Sequence, residues 1–158
     1  MVRKSKGKYV WKKKAIWCNE WSLSPVIHSY LTTLLKAVKE DENIGIPIYY
    51  CEKQAKIEGL ECYDWDSKID LEAAHQLRVK DLEEVVWAFS KDSEPDIRNY
   101  DFTYKGLFED IDPDTLTLNL ECTNEDERNR YWKDCEEYRE RKQKALGLFA
   151  EVYYTLAI

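Results

Sequence analysis

From Asn124 to Leu156 the residues Tyr131, Cys135, Tyr138, Lys142, Leu146, Phe149, Val152, Tyr153 and Leu156 keep near-helical spacing. The stripe runs for about seven turns of 3.6 residues. A helix of that length gains its stability by burying its apolar side, so this stretch sets the architecture: helices packed round a core. Its start is marked by Asn124 with Glu127 three residues on, a pattern like a capping box, and Glu125 and Asp126 suit the positive end of the helix dipole. Gly147 falls inside it, where glycine weakens a helix by roughly 1 kcal/mol relative to alanine. An interior glycine can also admit the close approach of a neighbouring helix.

Two further helices are readable. Ser24 fits an N-cap and Pro25 the first helical position. Val26, Ile27, Tyr30, Leu31, Leu34, Leu35 and Val38 then form one apolar face reaching about Lys39, and Gly45 and Pro47 mark the break. A second helix is predicted over 68–90, where Leu82, Val85, Val86 and Phe89 form the stripe. Leu71, Ala74 and Arg78 fit it less cleanly, so its start could fall as late as Val79.

The stretch 44–66 reads as extended through Ile46, Ile48, Tyr49, Tyr50 and Cys51, with Pro47 marking an edge or loop. Gly59 suits a turn, and Tyr63-Asp64-Trp65-Asp66 an aromatic-anchored loop. Tyr100, Phe102 and Tyr104 alternate, as do Leu116, Leu118 and Leu120, so each run could be a short strand of one hairpin. The expected fold is mainly α: three principal helices, the C-terminal one longest, with a small β-hairpin. Trp17, Trp21, Trp87 and Trp132 are expected to pack in the core and between helices; should several prove exposed, they become interface anchors.

Charge divides the 158-residue chain into a basic arm, 1–14, and a single helical domain, 15–158. The arm holds Arg3, Lys4, Lys6, Lys8, Lys12, Lys13 and Lys14 and no acid, which leaves 17 bases against 31 acids beyond it, a net of −14. Such an arm can neutralise phosphates, and Tyr9, Trp11 and Trp17 could stack on bases. It equally suits a solubilising tail, or one folded back on the acidic body. That body repels nucleic acid and attracts basic protein surfaces, in the extreme as a mimic of a phosphate backbone. The plainer reading is a solvated surface. Candidate contact residues are Glu121, Glu125, Asp126, Glu127, Asp134, Glu136, Glu137 and Glu140.

A composition of 44% hydrophobic and 35% charged residues excludes disorder of the whole chain. No run of about 18 apolar residues occurs, so no membrane partner is expected. No apolar stretch of signal-peptide length follows the basic start, which places the protein in the cytoplasm. The five cysteines, Cys18, Cys51, Cys62, Cys122 and Cys135, form no CxxC pair, so reduced thiols are expected.

Motifs for catalysis are missing. There is no Walker loop, Rossmann glycine pattern, HExxH or GxSxG. His28 and His75 read as structural. Asp64, Asp66 and Asp70, and again Asp110, Asp112 and Asp114, have metal-like spacing. A calcium loop needs Gly at its sixth position and Glu at its twelfth. From Asp64 those are Ile69 and His75; from Asp110 they are Thr115 and Glu121. The residues therefore indicate no catalytic centre, metal or cofactor.

Three segments carry a resemblance. They are Trp21-Ser22-Leu23-Ser24-Pro25-Val26, then Lys80-Asp81-Leu82-Glu83-Glu84-Val85-Val86-Trp87-Ala88-Phe89. The third is Arg130-Tyr131-Trp132 with Lys144-Ala145-Leu146-Gly147-Leu148-Phe149-Ala150-Glu151-Val152-Tyr153-Tyr154-Thr155-Leu156. Together they resemble small helical proteins of unknown function from tailed bacteriophages, with a helix ending like "WAF" and a last helix like "GLxLFAxYYxxLW". Here Leu146-Gly147 stands where that pattern has Gly-Leu, and Leu156-Ala157-Ile158 lacks the final Trp. The resemblance implies a viral role: host takeover, evasion of host defence, or virion assembly.

The leading expectation is a non-enzymatic module that binds, and thereby could block, a host or phage protein in the infected cell. The alternatives are a nucleic-acid-associated protein using residues 3–14 and a structural virion component.

Overall fold

The computed structural model describes residues 2–5, 8–11, 19–40, 45–91, 94–105, 121–153 and 155, with side chains from Leu23 onward. Among these, the elements are strands β1 (Val2–Ser5) and β2 (Lys8–Trp11), helices α1 (Asn19–Glu40), α2 (Ile48–Ile57) and α3 (Leu71–Phe89), and a 3₁₀ turn (Ile97–Asn99). Strands β3 (Tyr104–Lys105) and β4 (Glu121–Cys122) and helix α4 (Glu125–Tyr153) follow. The fold is mainly helical, with the long C-terminal helix and a small antiparallel hairpin. No described helix is long and apolar enough to cross a membrane. The chain divides into two compact units: residues 1–90 with 144–158, and residues 91–143.

The first unit holds α1, α2, α3 and the last turns of α4. Its centre is Leu31, Val38, Tyr50, Leu82, Val85 and Val152, with Ile27, Leu34, Leu35, Leu77, Val86, Phe89, Leu148 and Phe149 packed round them. The α1 face read from sequence is thus split. Ile27, Leu31, Leu34, Leu35 and Val38 enter the core, while Val26 and Tyr30 stay exposed with Leu23. Phe89 and Phe149 meet edge to face at 5.2 Å, so the ends of both predicted stripes close on one another. Ala55, Ala74, Ala88 and Ala145 are buried too.

Helix α1 begins at Asn19, so Ser24 is not its N-cap and Pro25 lies inside it. Proline there removes one backbone hydrogen bond and crowds the preceding turn. The signal at Ser24-Pro25 was a start motif that the chain overrides.

The larger correction is α2, which replaces the extended segment. β-branched and aromatic residues imitate a strand, yet Tyr50, Cys51, Gln54 and Ala55 fall on one buried helical face. Pro47 occupies the N-cap position, and its carbonyl accepts from Tyr50 N at 2.9 Å. Gly59, at φ 82°, ends the helix: Leu60 N donates to Ala55 O at 2.9 Å and Gly59 N to Lys56 O at 3.1 Å. This is the Schellman closure, whose left-handed residue favours glycine.

Helix α3 starts at Leu71, nearer the early of the two predicted starts, because Asp70 caps it: its carboxylate accepts from Ala73 N at 3.0 Å. Arg78, which spoiled the periodicity, is 2% exposed and donates from Nη1 to the Gly45 carbonyl at 2.9 Å. Asp81 is also buried and binds Lys53 Nζ at 2.7 Å. The apolar alternation was imperfect because α3 carries buried charge.

In the loop 61–70, the Asp64 carboxylate accepts from Asp66 N and Ser67 Oγ, each at 3.0 Å. Trp65 is 87% exposed, so the loop is turned by Asp64 and is not anchored by its tryptophan. Among the described residues, a Cβ on Gly147 would meet nothing within 4 Å, so none of the described helices makes the close approach that this glycine could admit. In the N-terminal arm, Lys4 stands opposite Tyr9 and Ser5 opposite Lys8 in the β1–β2 register.

Candidate protein-interaction surface

The second unit is built round the first half of α4. Asn124 caps the helix as its sequence suggests, accepting from Glu127 N at 3.2 Å. The reciprocal half of the capping box is not made. Glu127 instead accepts from Asp101 N at 3.4 Å and from Arg130 at 2.9 Å.

Residues 94–105 run along this helix and are fixed to it by aromatic and polar contacts. Tyr131 is the hub: its ring lies 5.1 Å from Tyr100 and 5.7 Å from Phe102. The Tyr100 hydroxyl donates to Asp134 at 2.6 Å, and the Arg130 guanidinium lies 5.2 Å from the Tyr100 ring. That bond to a carboxylate, with some burial, pushes the Tyr100 hydroxyl up to about 12. Asp96 accepts from Arg98 and holds the 3₁₀ turn, and the Arg98 pairing keeps its carboxyl down at about 2.

Alternation at Tyr100, Phe102 and Tyr104 buries Phe102 and leaves Tyr104 exposed, but only Tyr104–Lys105 pairs as strand, with Glu121–Cys122. Thr103 and Thr123 extend the pairing, with Thr123 N donating to Thr103 O at 2.9 Å. The run Leu116, Leu118 and Leu120 lies outside the described residues.

The helical repeat sorts the seven acidic candidates on α4 into an inward pair and an outer set. Asp134 and Glu127 turn to the 94–105 segment and hold it. Glu125, Glu136 and Glu140 are exposed on one stripe with Asn129, Trp132 and Gln143; Asp126, Lys133 and Glu137 make the adjoining exposed row. Glu121 is exposed on β4. Two of the outer acids have basic neighbours, Glu125 with Arg128 at 3.8 Å and Glu137 with Lys133 at 3.7 Å, both loose surface pairs.

Trp132 completes this face. Sequence placed it in the core; the structure leaves it 53% exposed, its ring 5.3 Å from Tyr131. Tyr131 takes the inward position one residue earlier, so the helix sends its neighbour outward. Trp87 is half-buried, whereas the side chains of Trp17 and Trp21 lie outside those described.

The other candidates do not assemble into a centre. His28 and His75 are half-buried on α1 and α3. Cys51 is buried; desolvation raises its thiol, and a hydrogen bond with Tyr63 offsets this only in part, which opposes thiolate chemistry. Among the described residues no group of three His, Cys, Asp or Glu could hold a metal. Asp70 is occupied as a helix cap and Asp64 as a turn residue. Asp110, Asp112 and Asp114 lie outside the described residues, as do Cys18, Lys6, Lys12, Lys13 and Lys14. Arg3 and Lys4 lie on β1 and Lys8 on β2.

Sequence reasoning missed the buried set Tyr50, Arg78 and Asp81, with half-buried Lys53 as the partner of Asp81. Its one signal was a charged residue at the inner spacing of α3. Comparison with family models, characterised proteins and solved structures finds no match.

Proposed function

We propose that the chain is a non-enzymatic interaction module that docks a basic surface of another protein on the outer face of α4. The observation that carries this is Trp132, 53% exposed and flanked on its own face by Glu125 and Glu136. Leaving a large aromatic ring in water forgoes the burial of much of its 150–250 Å². Trp is also the residue type most enriched among binding hot spots. Carboxylates round it would speed the encounter with a basic partner and orient it.

The resemblance to tailed-phage proteins supplies the setting. The partner is then a host or phage protein met in the bacterial cytoplasm, and blocking it is one consequence of docking. The second reading, nucleic-acid association through residues 1–14, draws on the β1–β2 ribbon that carries Arg3, Lys4 and Lys8.

A tagged pull-down from bacterial lysate, run with and without nuclease, separates the two. The interaction reading expects a discrete protein retained by the wild type and lost with Trp132→Ala. Recovery of nuclease-sensitive material alone, abolished by deleting residues 1–14, would replace it with the nucleic-acid reading.

A further inference from the structure

No further inference is drawn: the strongest candidate, the exposed Leu23, Val26 and Tyr30 stripe on the first half of α1, carries nothing because nothing in the structure shows what covers it.

Discussion

Tyr50 offers the sharpest test of the packing. It is fully buried at 0% exposure, and its hydroxyl is a buried polar atom without a hydrogen-bond partner among the described residues. Burial raises its pKa, Asp81 adds to the rise and Arg78 opposes it, so the hydroxyl stays protonated at any ordinary pH. A buried donor left unpaired costs about 1–3 kcal/mol. Tyr50→Phe removes the oxygen and keeps the ring, so the protein should gain about 1 kcal/mol. For a chain of this size that raises Tm by about 2–4 °C. Guanidinium unfolding followed by circular dichroism should show a higher midpoint at unchanged slope. Tyr50→Ala serves as the control, expected to cost about 3–5 kcal/mol because it empties the ring's site. A loss of more than about 1 kcal/mol in the phenylalanine variant would show that the hydroxyl is bonded and refute the reasoning.

Four further variants test other parts of the structure. Lys53→Met removes the 2.7 Å partner of buried Asp81 and should cost about 1.5–3 kcal/mol. Lys39→Met breaks the half-exposed pair with Glu83 and should cost less than about 1 kcal/mol; equal losses in urea unfolding would contradict the contrast. Gly147→Ala meets open space inside a helix and should stabilise by about 0.5–1 kcal/mol, a thermal-melt result that a destabilised variant would overturn. Tyr100 should titrate near pH 12 by NMR, and Asp134→Asn should bring it back toward 10. Its folded value lies above the ordinary one, so this contribution to stability is whole below pH 10 and is lost as pH rises through about 12. A Tyr100 midpoint unmoved by Asp134→Asn would remove the hydrogen bond from the account.

The long helices could be read from sequence because their signals are local and repeated. Asn124 caps α4, and the Leu82, Val85, Val86 and Phe89 stripe ends where α3 ends. Helix α2 was hidden because ten residues hold fewer than three turns, too short for a period, and Ile48, Tyr49 and Tyr50 favour strands when judged one at a time. Buried Arg78 and Asp81 depend on partners 33 and 28 residues away, Gly45 and Lys53, which periodicity cannot reveal. On the candidate surface, the acidic character of α4 was evident, but not its division. Asp134 and Glu127 differ from Glu136 and Glu140 only in which side of the helix meets residues 94–105. Trp132 follows the same logic: Tyr131 or Trp132 could have taken the inward place, and spacing favours Tyr131 without excluding its neighbour.

The outer face of α4 is tested most directly by reversing its charge on the side away from residues 94–105, where Glu137 has only a loose surface pair with Lys133. The variant combines Glu136→Lys, Glu137→Lys and Glu140→Lys, spares Asp134 and Glu127, and is compared with the wild type by pull-down from nuclease-treated lysate. Circular dichroism establishes that its helices are kept. The account predicts that the protein partner held by the wild type is lost from this variant and kept when residues 1–14 are deleted. A partner that persists through the reversal, or that departs only with the arm, would contradict it.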